Sequence, residues 1–315
     1  MSTLLPAEAA TSNHSALMRH QRYGGSATTV ADRFVWHPVE VGPPAENPGA
    51  VAGRHVLVIG GSESERSLVA SSLSLRDAVV SVLPATPATA ESTRTALRAA
   101  VLSVGEVDGI VDLGVGGVFD VADAARHDAW RAALTRSVAV LQEVYDDWAA
   151  ETDARRCFYL AVTRMGGRMG YDRQGVRQPL GGIWAGLAKS LPHELPTCRV
   201  KVLDLGSADE PQLGSLVARE IADFDFYEVG YRSGVRYTLG AETAPCRPAR
   251  LRLVADDVVL VSGGGRGVGF AFARELARRV GCRVVVTGRS ALPEGEPWLT
   301  VSSAEYAALR QQRLR

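Results

Sequence analysis

Short apolar runs and longer amphipathic stretches alternate along most of this chain. From residue 55 onward, the apolar runs have the length of buried strands, and the stretches between them carry apolar residues at helical spacing. This alternation predicts strands at 56–59, 79–83, 110–113, 158–162 and 200–205, each followed by a helix, at 65–75, 91–103, 123–148, 180–190 and 211–223. Strands that alternate with helices form a parallel sheet covered on both faces, so the sequence indicates an α/β fold.

The flanks of this region follow a different pattern. Residues 34–41 have the composition of a strand, and Pro38 within them favours the edge of a sheet because proline cannot donate to a ladder. Residues 227–239 predict a hairpin that turns at 232–234. Residues 251–254 are predicted to add a further edge strand.

A second run of strand, turn, helix and strand begins at residue 258. An apolar strand at 258–261 leads into a glycine-rich turn, a helix at 270–280 and a strand at 283–287. Glycines in such a turn let the backbone approach a pyrophosphate, and an arginine after the second strand accommodates the 2′-phosphate of NADP. Guanidinium groups bind phosphate bidentately. The predicted cofactor-binding residues are Ser262, Gly263, Gly264, Gly265, Arg266, Gly267, Val268, Gly269, Arg289 and Ser290.

The turn after the first strand, at 60–66, has the same outline but different side chains. Ser64 and Arg66 stand where the later turn has glycine, and Glu63 stands where it has Arg266. A carboxylate at a helix N-terminus competes with a phosphate for the same positive dipole end. We therefore expect the first unit to bind no nucleotide.

Composition narrows the class of protein. The chain has 35 Lys+Arg and 35 Asp+Glu, so no basic field indicates nucleic acid or an anionic membrane. No apolar run reaches the length of a membrane span, and no secretory signal precedes the first strand. The four cysteines lie far apart, without the spacing of a zinc site or a disulfide framework, and the six histidines show no ligand spacing. We expect a cytoplasmic protein with reduced thiols and no metal.

Three aspartates near one predicted strand are the remaining candidates for chemistry. Asp108, Asp112 and Asp120 lie around the strand at 110–113, where an open sheet places ligands. In a unit that binds no nucleotide, we expect them to cap helices and close turns.

Residues 262–269, Ser-Gly-Gly-Gly-Arg-Gly-Val-Gly, resemble the TGxxxGxG turn of short-chain dehydrogenases. The placement of a degenerate unit before them resembles the structural subdomain of ketoreductase domains in modular polyketide synthases and related polyunsaturated fatty-acid synthases. Supporting stretches are 34–38, 181–191, 199–205 and 286–290. The resemblance implies that the second unit uses NADPH to reduce a β-ketoacyl group carried by an acyl carrier protein.

The chain departs from that family where a proton donor is needed. The family's active site combines a serine, a tyrosine and a lysine, and the tyrosine protonates the alkoxide that hydride transfer creates. No Tyr-x-x-x-Lys occurs here: Ala185 and Thr197 precede the two lysines by four positions. Gly175 follows Tyr171 by four positions, and Tyr306 is expected on the surface of a final helix at 304–314. We therefore assign no catalytic residue.

The predicted architecture has three segments. Residues 1–32 form a linker or arm, 33–250 a Rossmann-like structural subdomain with a parallel sheet, and 251–315 an incomplete second Rossmann βαβ unit that binds NADP.

The sequence is compatible with three functions. The first is the N-terminal part of an NADPH-dependent ketoreductase, truncated and inactive alone, with acyl carrier protein, other synthase domains or a complementing C-terminal fragment as partners. The second is a structural or docking module of a synthase with a vestigial cofactor loop. The third is a protein that binds NADP(H) as a sensor.

Overall fold

The computed structural model describes residues 33–84, 89–120, 122, 124–171, 176–244, 252–289, 302 and 304–305. By its internal contacts the chain divides into two compact units, residues 1–245 and 246–315.

The first unit contains one eight-stranded sheet. Its strands are β1 (Phe34–Glu40), β2 (His55–Ile59), β3 (Val79–Val82), β4 (Gly109–Asp112), β5 (Phe158–Thr163), β6 (Arg199–Leu205), β7 (Glu228–Arg232) and β8 (Val235–Thr243). Its helices are α1 (Glu63–Ser74), α2 (Ala90–Val104), α3 (Ala124–Ala150), α4 (Gly181–Glu194) and α5 (Leu213–Glu220), the last preceded by a 3₁₀ turn at Glu210–Gln212.

The order of strands across this sheet is β1-β8-β7-β6-β5-β4-β2-β3. Strands β2 to β7 pair in parallel, whereas β8 is antiparallel to both β7 and β1. The chain reverses its direction across the sheet between β3 and β4, so β2 and β4 flank the switch point where open α/β sheets bind ligands. The predicted parallel α/β sheet is confirmed.

The edge strand and the hairpin next to it are also those that the sequence predicts. β1 is an edge strand, and Pro38 within it pairs with Leu239 of β8. β7 and β8 form the predicted hairpin, and its turn places Ser233 and Gly234 at φ 52° and 79°. A two-residue turn with both φ values positive matches the right-handed twist of the strands.

Apolar side chains cover both faces of the central strands. Along β2, Leu57 and Ile59 belong to the core on one face, whereas Val56 and Val58 belong to the core on the other. Every residue of β2, β4 and β5 is buried. Burial on both faces explains why these strands are continuous apolar runs rather than alternating ones.

The second unit is a small parallel βαβ element. It consists of β9 (Val258–Val261), α6 (Gly267–Val280) and β10 (Arg283–Val286), and β9 pairs with β10 in parallel. Its apolar side chains are poorly covered: Val258 is 58% exposed, Leu260 66% and Phe272 59%. Parallel strands are normally buried on both faces, so this element presents apolar surface suited to further packing.

Two predictions near this unit have different outcomes. The predicted edge strand at 251–254 is wrong for its described part, because 252–254 carry no strand. Instead, the Asp257 carboxylate accepts a hydrogen bond from Val254 N and the Asp257 N–H donates to Val254 O, which closes a tight turn. The predicted helix at 304–314 and Tyr306 lie outside the described residues except for a helical start at 304–305.

Candidate cofactor site

The glycine-rich turn connects β9 to α6. Residues 262–265 form the turn, Arg266 is the extended residue before the helix, and α6 begins at Gly267. Gly263 and Gly267 adopt φ values of 72° and 58°, which residues with a side chain rarely adopt. The backbone conformation therefore requires glycine at these two positions.

Steric contact explains two further glycines. A Cβ at Gly264 would lie 2.8 Å from a methyl of Val286 and 2.9 Å from the carbonyl oxygen of Val261. A Cβ at Gly269 would lie 2.7 Å from the carbonyl oxygen of Gly263. These glycines let α6 and both strands approach closely, as the last glycine of a dinucleotide-binding turn does.

Gly265 differs from its neighbours because nothing in the unit requires a glycine there. Its φ is outside the left-handed region, and no atom of the described residues lies within 4 Å of the position that a Cβ would occupy. A glycine in open space beside a helix N-terminus leaves room for a ligand to contact bare backbone. A side chain added at Gly265 therefore tests most directly whether a diphosphate binds at this turn.

The charges around the turn suit an anion. The first turn of α6 contains no acidic residue, and Arg266 is exposed directly before it. The N–H of Thr287, just after β10, donates a 3.2 Å hydrogen bond to Val261 O, so the ends of the two strands lie side by side. Arg289 is exposed two residues farther along, whereas Ser290 lies outside the described residues.

The corresponding turn in the first unit is closed by its own side chains. Gly60 and Gly61 have left-handed φ values of 73° and 61°, and Ser62 caps α1. The Glu65 carboxylate accepts a 2.6 Å hydrogen bond from Ser62 N, and the Ser62 hydroxyl accepts one from Glu65 N. A carboxylate thus already accepts from an amide at this helix N-terminus, where a phosphate would otherwise bind.

Two arginines complete the closure of this turn. Arg164 forms an ion pair with the other oxygen of Glu65 and donates to Leu113 O at 2.9 Å. Arg66 is buried and donates to Gly60 O and Gly61 O at 3.2 and 2.8 Å. Burial raises the pKa of Glu65, but Arg164 and the Ser62 donors outweigh it, so the pKa is lowered and the carboxylate stays charged.

The two turns therefore differ in how much room they leave for an anion. Glu63, which the sequence predicts to repel a phosphate, lies in the first turn of α1. The carboxylate that accepts from the turn's backbone is Glu65, two residues later. Arg66 stands in the first turn where the second turn has Gly269, and its guanidinium occupies the space beside the carbonyl groups of Gly60 and Gly61.

The remaining candidate residues have structural partners. Asp112 is buried, and its carboxylate accepts hydrogen bonds from Gly114 N and the Tyr159 hydroxyl. Asp108 accepts from His55 N, and Asp120 accepts from Ala122 N. Asp112 and Asp120 accept from an amide two residues later, which is the turn role that the sequence predicts. The prediction is wrong for Asp108, which instead binds the start of β2 and forms a 2.7 Å ion pair with Arg156. Burial raises the pKa of Asp112, its hydrogen bonds opposing that effect.

The described part of the chain shows neither a metal cluster nor a membrane-spanning helix. No three metal-ligating side chains come together within it. None of its helices is long and apolar enough to span a bilayer. Cys157, Cys198 and Cys282 are buried and unpaired, whereas Cys246 lies outside the described residues.

Comparison with known proteins bears on the fold of the chain. No protein-family model matches the chain. The chain is 32% identical over 155 residues to the polyketide synthase PksL of Bacillus subtilis, which covers 47% of this chain and 3% of that protein. It is 31% identical over 152 residues to a polyunsaturated fatty acid synthase protein of Thraustochytrium sp., which covers 44% of this chain and 5% of that protein.

The similarity in structure covers more of the chain. An A-type ketoreductase from a modular polyketide synthase superposes with a TM-score of 0.57 at 20% identity, over 89% of this chain and 56% of that one. The chain thus spans a few per cent of the length of the curated relatives and about half of this ketoreductase. It is a homologue of polyketide and polyunsaturated fatty-acid synthase proteins, and its fold is that of the ketoreductase domains of modular polyketide synthases, as the sequence predicts.

Proposed function

We propose that this chain is the N-terminal part of an NADPH-dependent β-ketoacyl ketoreductase of a polyketide or fatty-acid synthase, and that it is inactive alone. The observation that carries the proposal is the contrast between the two turns. Among the described residues, the turn at 262–269 has open space at Gly265 and the first turn of α6 carries no acid, whereas the turn at 60–66 is closed by Glu65 and Arg66. Only the second unit then binds the cofactor.

The residues of the second turn fit a dinucleotide. The N–H groups at the start of α6 and the helix dipole favour a diphosphate beside Gly265. Arg266 adds positive charge at the same place, and Arg289 follows β10, where an arginine would bind the 2′-phosphate that distinguishes NADPH from NADH. When bound, NADPH supplies the hydride for reduction of a ketone.

The chain itself lacks the groups that would finish the reaction. Reduction of a ketone needs a proton donor beside the developing alkoxide, and no Tyr-x-x-x-Lys is present in the sequence. Tyr171 lies in the first unit, and its side chain is 48% exposed. We propose that a complementing C-terminal segment supplies the donor, that an acyl carrier protein delivers the substrate, and that this assembly operates in the cytoplasm.

Titration with NADPH, followed by its fluorescence, tests cofactor binding. We expect saturable binding, which Arg289→Ala weakens about tenfold because a charge-assisted bond to phosphate is lost. NADH has no 2′-phosphate, so its affinity should not depend on Arg289. Arg274→Ala removes an equal charge from the exposed side of α6 and serves as the matched control. No saturable binding by the unmodified chain would refute the proposed cofactor site.

A second candidate is a structural or docking module of a synthase with a vestigial turn. The poorly covered apolar side chains of β9 favour it, since they suit packing against another segment or domain. We expect no reduction of a β-ketoacyl thioester by the chain and NADPH alone. Activity that appears when a ketoreductase C-terminal segment is added supports the enzyme. Continued inactivity together with an absence of NADPH binding supports the module, and reduction by the chain alone contradicts both.

A further inference from the structure

Two buried cysteines stand at the starts of neighbouring strands in the first unit. Cys157 directly precedes β5, and Cys198 directly precedes β6. The first register pair of these parallel strands is Phe158 with Arg199. The N–H of Arg199 also donates a 3.0 Å hydrogen bond to the carbonyl oxygen of Cys157, so the pairing continues one residue beyond the strands. The register therefore sets Cys157 opposite Cys198.

The two side chains lie on the same face of the sheet. Cys157 shares a core cluster with Tyr159, whereas Phe158 between them belongs to the core on the other face. Cys198 belongs to the same cluster as Cys157, together with Val200. Neighbouring strands lie about 4.7–4.9 Å apart, and the Cα atoms of a disulfide are usually about 4.4–6.8 Å apart. The placement of this pair thus meets the first geometric requirement for a disulfide.

The surroundings of Cys198 show that the two thiols interact. Burial and then the neighbouring Cys157 raise the pKa of Cys198 to about 12. Arg199 and the N–H of Tyr159, a residue of β5, act in the opposite direction. The sulfur of Cys198 is therefore close enough to the first residues of β5 for them to affect its ionisation.

Charged groups surround Cys157 on the side of the preceding turn. Burial and then Glu151 raise the pKa of this thiol to about 11, and Asp108 acts in the same direction. Arg156 and Arg54 oppose them. The thiolate is the nucleophilic form of cysteine, so Cys157 is the more reactive member of the pair, although both thiols react slowly near neutral pH.

Both thiols lie directly behind turns at the surface. Residues 154–156 and 196–197 form these turns, whereas Cys157 is 2% exposed and Cys198 4%. Local opening at the end of an element exposes such positions transiently. A small neutral oxidant can then reach the sulfur, while a bulky thiol reagent needs a larger opening.

Cys282 in the second unit provides a matched comparison. It is also buried and also directly precedes a parallel strand, β10. The register pair of Arg283 with Val258 sets Cys282 opposite Asp257, which is an acid rather than a thiol. Burial and position are thus similar for the three cysteines, but only Cys157 and Cys198 face each other among the described residues.

We propose that Cys157 and Cys198 are a redox-sensitive pair, which a peroxide converts into a disulfide that links β5 to β6. The Cys157 thiolate attacks one peroxide oxygen, the O–O bond breaks, and the released hydroxide is protonated to water. The Cys198 sulfur then attacks the resulting sulfenic acid, so that an S–S bond forms, the S–O bond breaks and a second water leaves. Two thiols are oxidised, and one peroxide is reduced to two waters.

The test is peptide mapping of the folded full chain after treatment with hydrogen peroxide. The remaining free thiols are alkylated in denaturant, and the chain is digested and analysed by mass spectrometry. We expect a linked peptide that joins Cys157 to Cys198 and a loss of two hydrogen atoms from the intact mass, both reversed by dithiothreitol. The same treatment in urea, where the register is lost, should link the four cysteines without this preference.

Two variants sharpen the test. Cys198→Ala removes the second thiol, so it should abolish the linked peptide and leave Cys157 oxidised to sulfenic or sulfinic acid. Cys282→Ala removes a buried thiol that has no cysteine opposite it, and it should leave the yield of the linked peptide unchanged.

Two results would overturn the proposal. One is a folded chain in which peroxide oxidises Cys157 or Cys198 without linking them. The other is a set of links in the folded chain that includes Cys282 as often as Cys198, which would indicate random pairing. If Cys198→Ala does not fold, the map of the unmodified chain and that of Cys282→Ala still decide the outcome. Neither thiol of the pair belongs to the cofactor turn, so failure here does not bear on the cofactor proposal.

Discussion

Replacing Gly269 by alanine is expected to disturb the packing of α6 on the turn before it. The added methyl would lie 2.7 Å from the Gly263 carbonyl oxygen and 3.2 Å from the Cα of Gly264. Both neighbours are backbone atoms, so the helix or the turn must shift. Overpacking costs about 1–3 kcal/mol and the higher helix propensity of alanine offsets about 1 kcal/mol, which leaves a net destabilisation of about 0–2 kcal/mol.

Gly265→Ala is the matched variant, because the same methyl there lies within 4 Å of no atom in the part of the chain that the structure describes. Alanine restricts the unfolded chain, so we expect a stability change of about 0 to 1 kcal/mol in the favourable direction. The methyl nevertheless enters the space that a diphosphate needs. We expect the affinity for NADPH to fall about tenfold or more, equivalent to at least about 1.4 kcal/mol.

Amide hydrogen exchange in α6 measures the stability of the second unit, and fluorescence titration measures its affinity for NADPH. Gly269→Ala should accelerate exchange, whereas Gly265→Ala should leave exchange unchanged or slower and weaken binding. Two results would refute these expectations: NADPH binding by Gly265→Ala as tight as that of the unmodified chain, or a destabilisation of α6 as large as that caused by Gly269→Ala.

Two further predictions concern the stability of each unit. Glu65→Gln should lower the free energy of unfolding of the first unit by about 1–3 kcal/mol near pH 7, because Arg164 loses a charged partner. The pKa of Glu65 is lowered on folding, so its contribution is present above the ordinary value of 4.5 and is lost as pH falls below it. In urea unfolding, the difference in free energy of unfolding between Glu65→Gln and the unmodified chain should therefore disappear at low pH. Glu63→Gln, at the exposed first position of α1, serves as the control and should change this free energy little at any pH. A difference for Glu65→Gln that is unchanged at low pH would contradict the ion pair. Amide exchange should be slow in β2 and β5 and fast in β9 and β10, because the former are buried on both faces; uniform protection would contradict the view that the second unit needs further packing.

Most elements of the fold could be predicted because their signals are local. Apolar runs placed β2, β4 and β5 to within a residue or two, since strands buried on both faces need nearly every side chain to be apolar. β6 was placed as closely by its valines and leucines, although Arg199, Lys201 and Asp204 interrupt them. The hairpin turn followed from the Ser233-Gly234 dipeptide, in which Gly234 adopts positive φ without steric cost. Ser233 also has a positive φ, which is uncommon for serine, and its N–H donates to Asp209. The strand expected at 251–254 failed because the Asp257 side chain competes for the backbone, and nothing in the apolar pattern reveals that competition.

The closure of the first turn could be predicted only in part. The Ser62–Glu65 capping box is visible in the sequence as two residues three apart. The ion pair of Glu65 with Arg164 joins residues 99 positions apart, so it depends on the order of the strands rather than on local spacing. The buried Lys201 is a similar case, because its partner Glu220 lies on a different element and no periodicity indicates the pairing.

The most direct test of this account is to map NADPH binding onto the amide resonances of both turns in one titration. The account predicts saturable shifts at Gly265 and Gly267, with Gly60 and Gly61 unaffected. Shifts at Gly60 and Gly61 with none at Gly265 would contradict it, because they would place the nucleotide in the turn that Glu65 and Arg66 occupy.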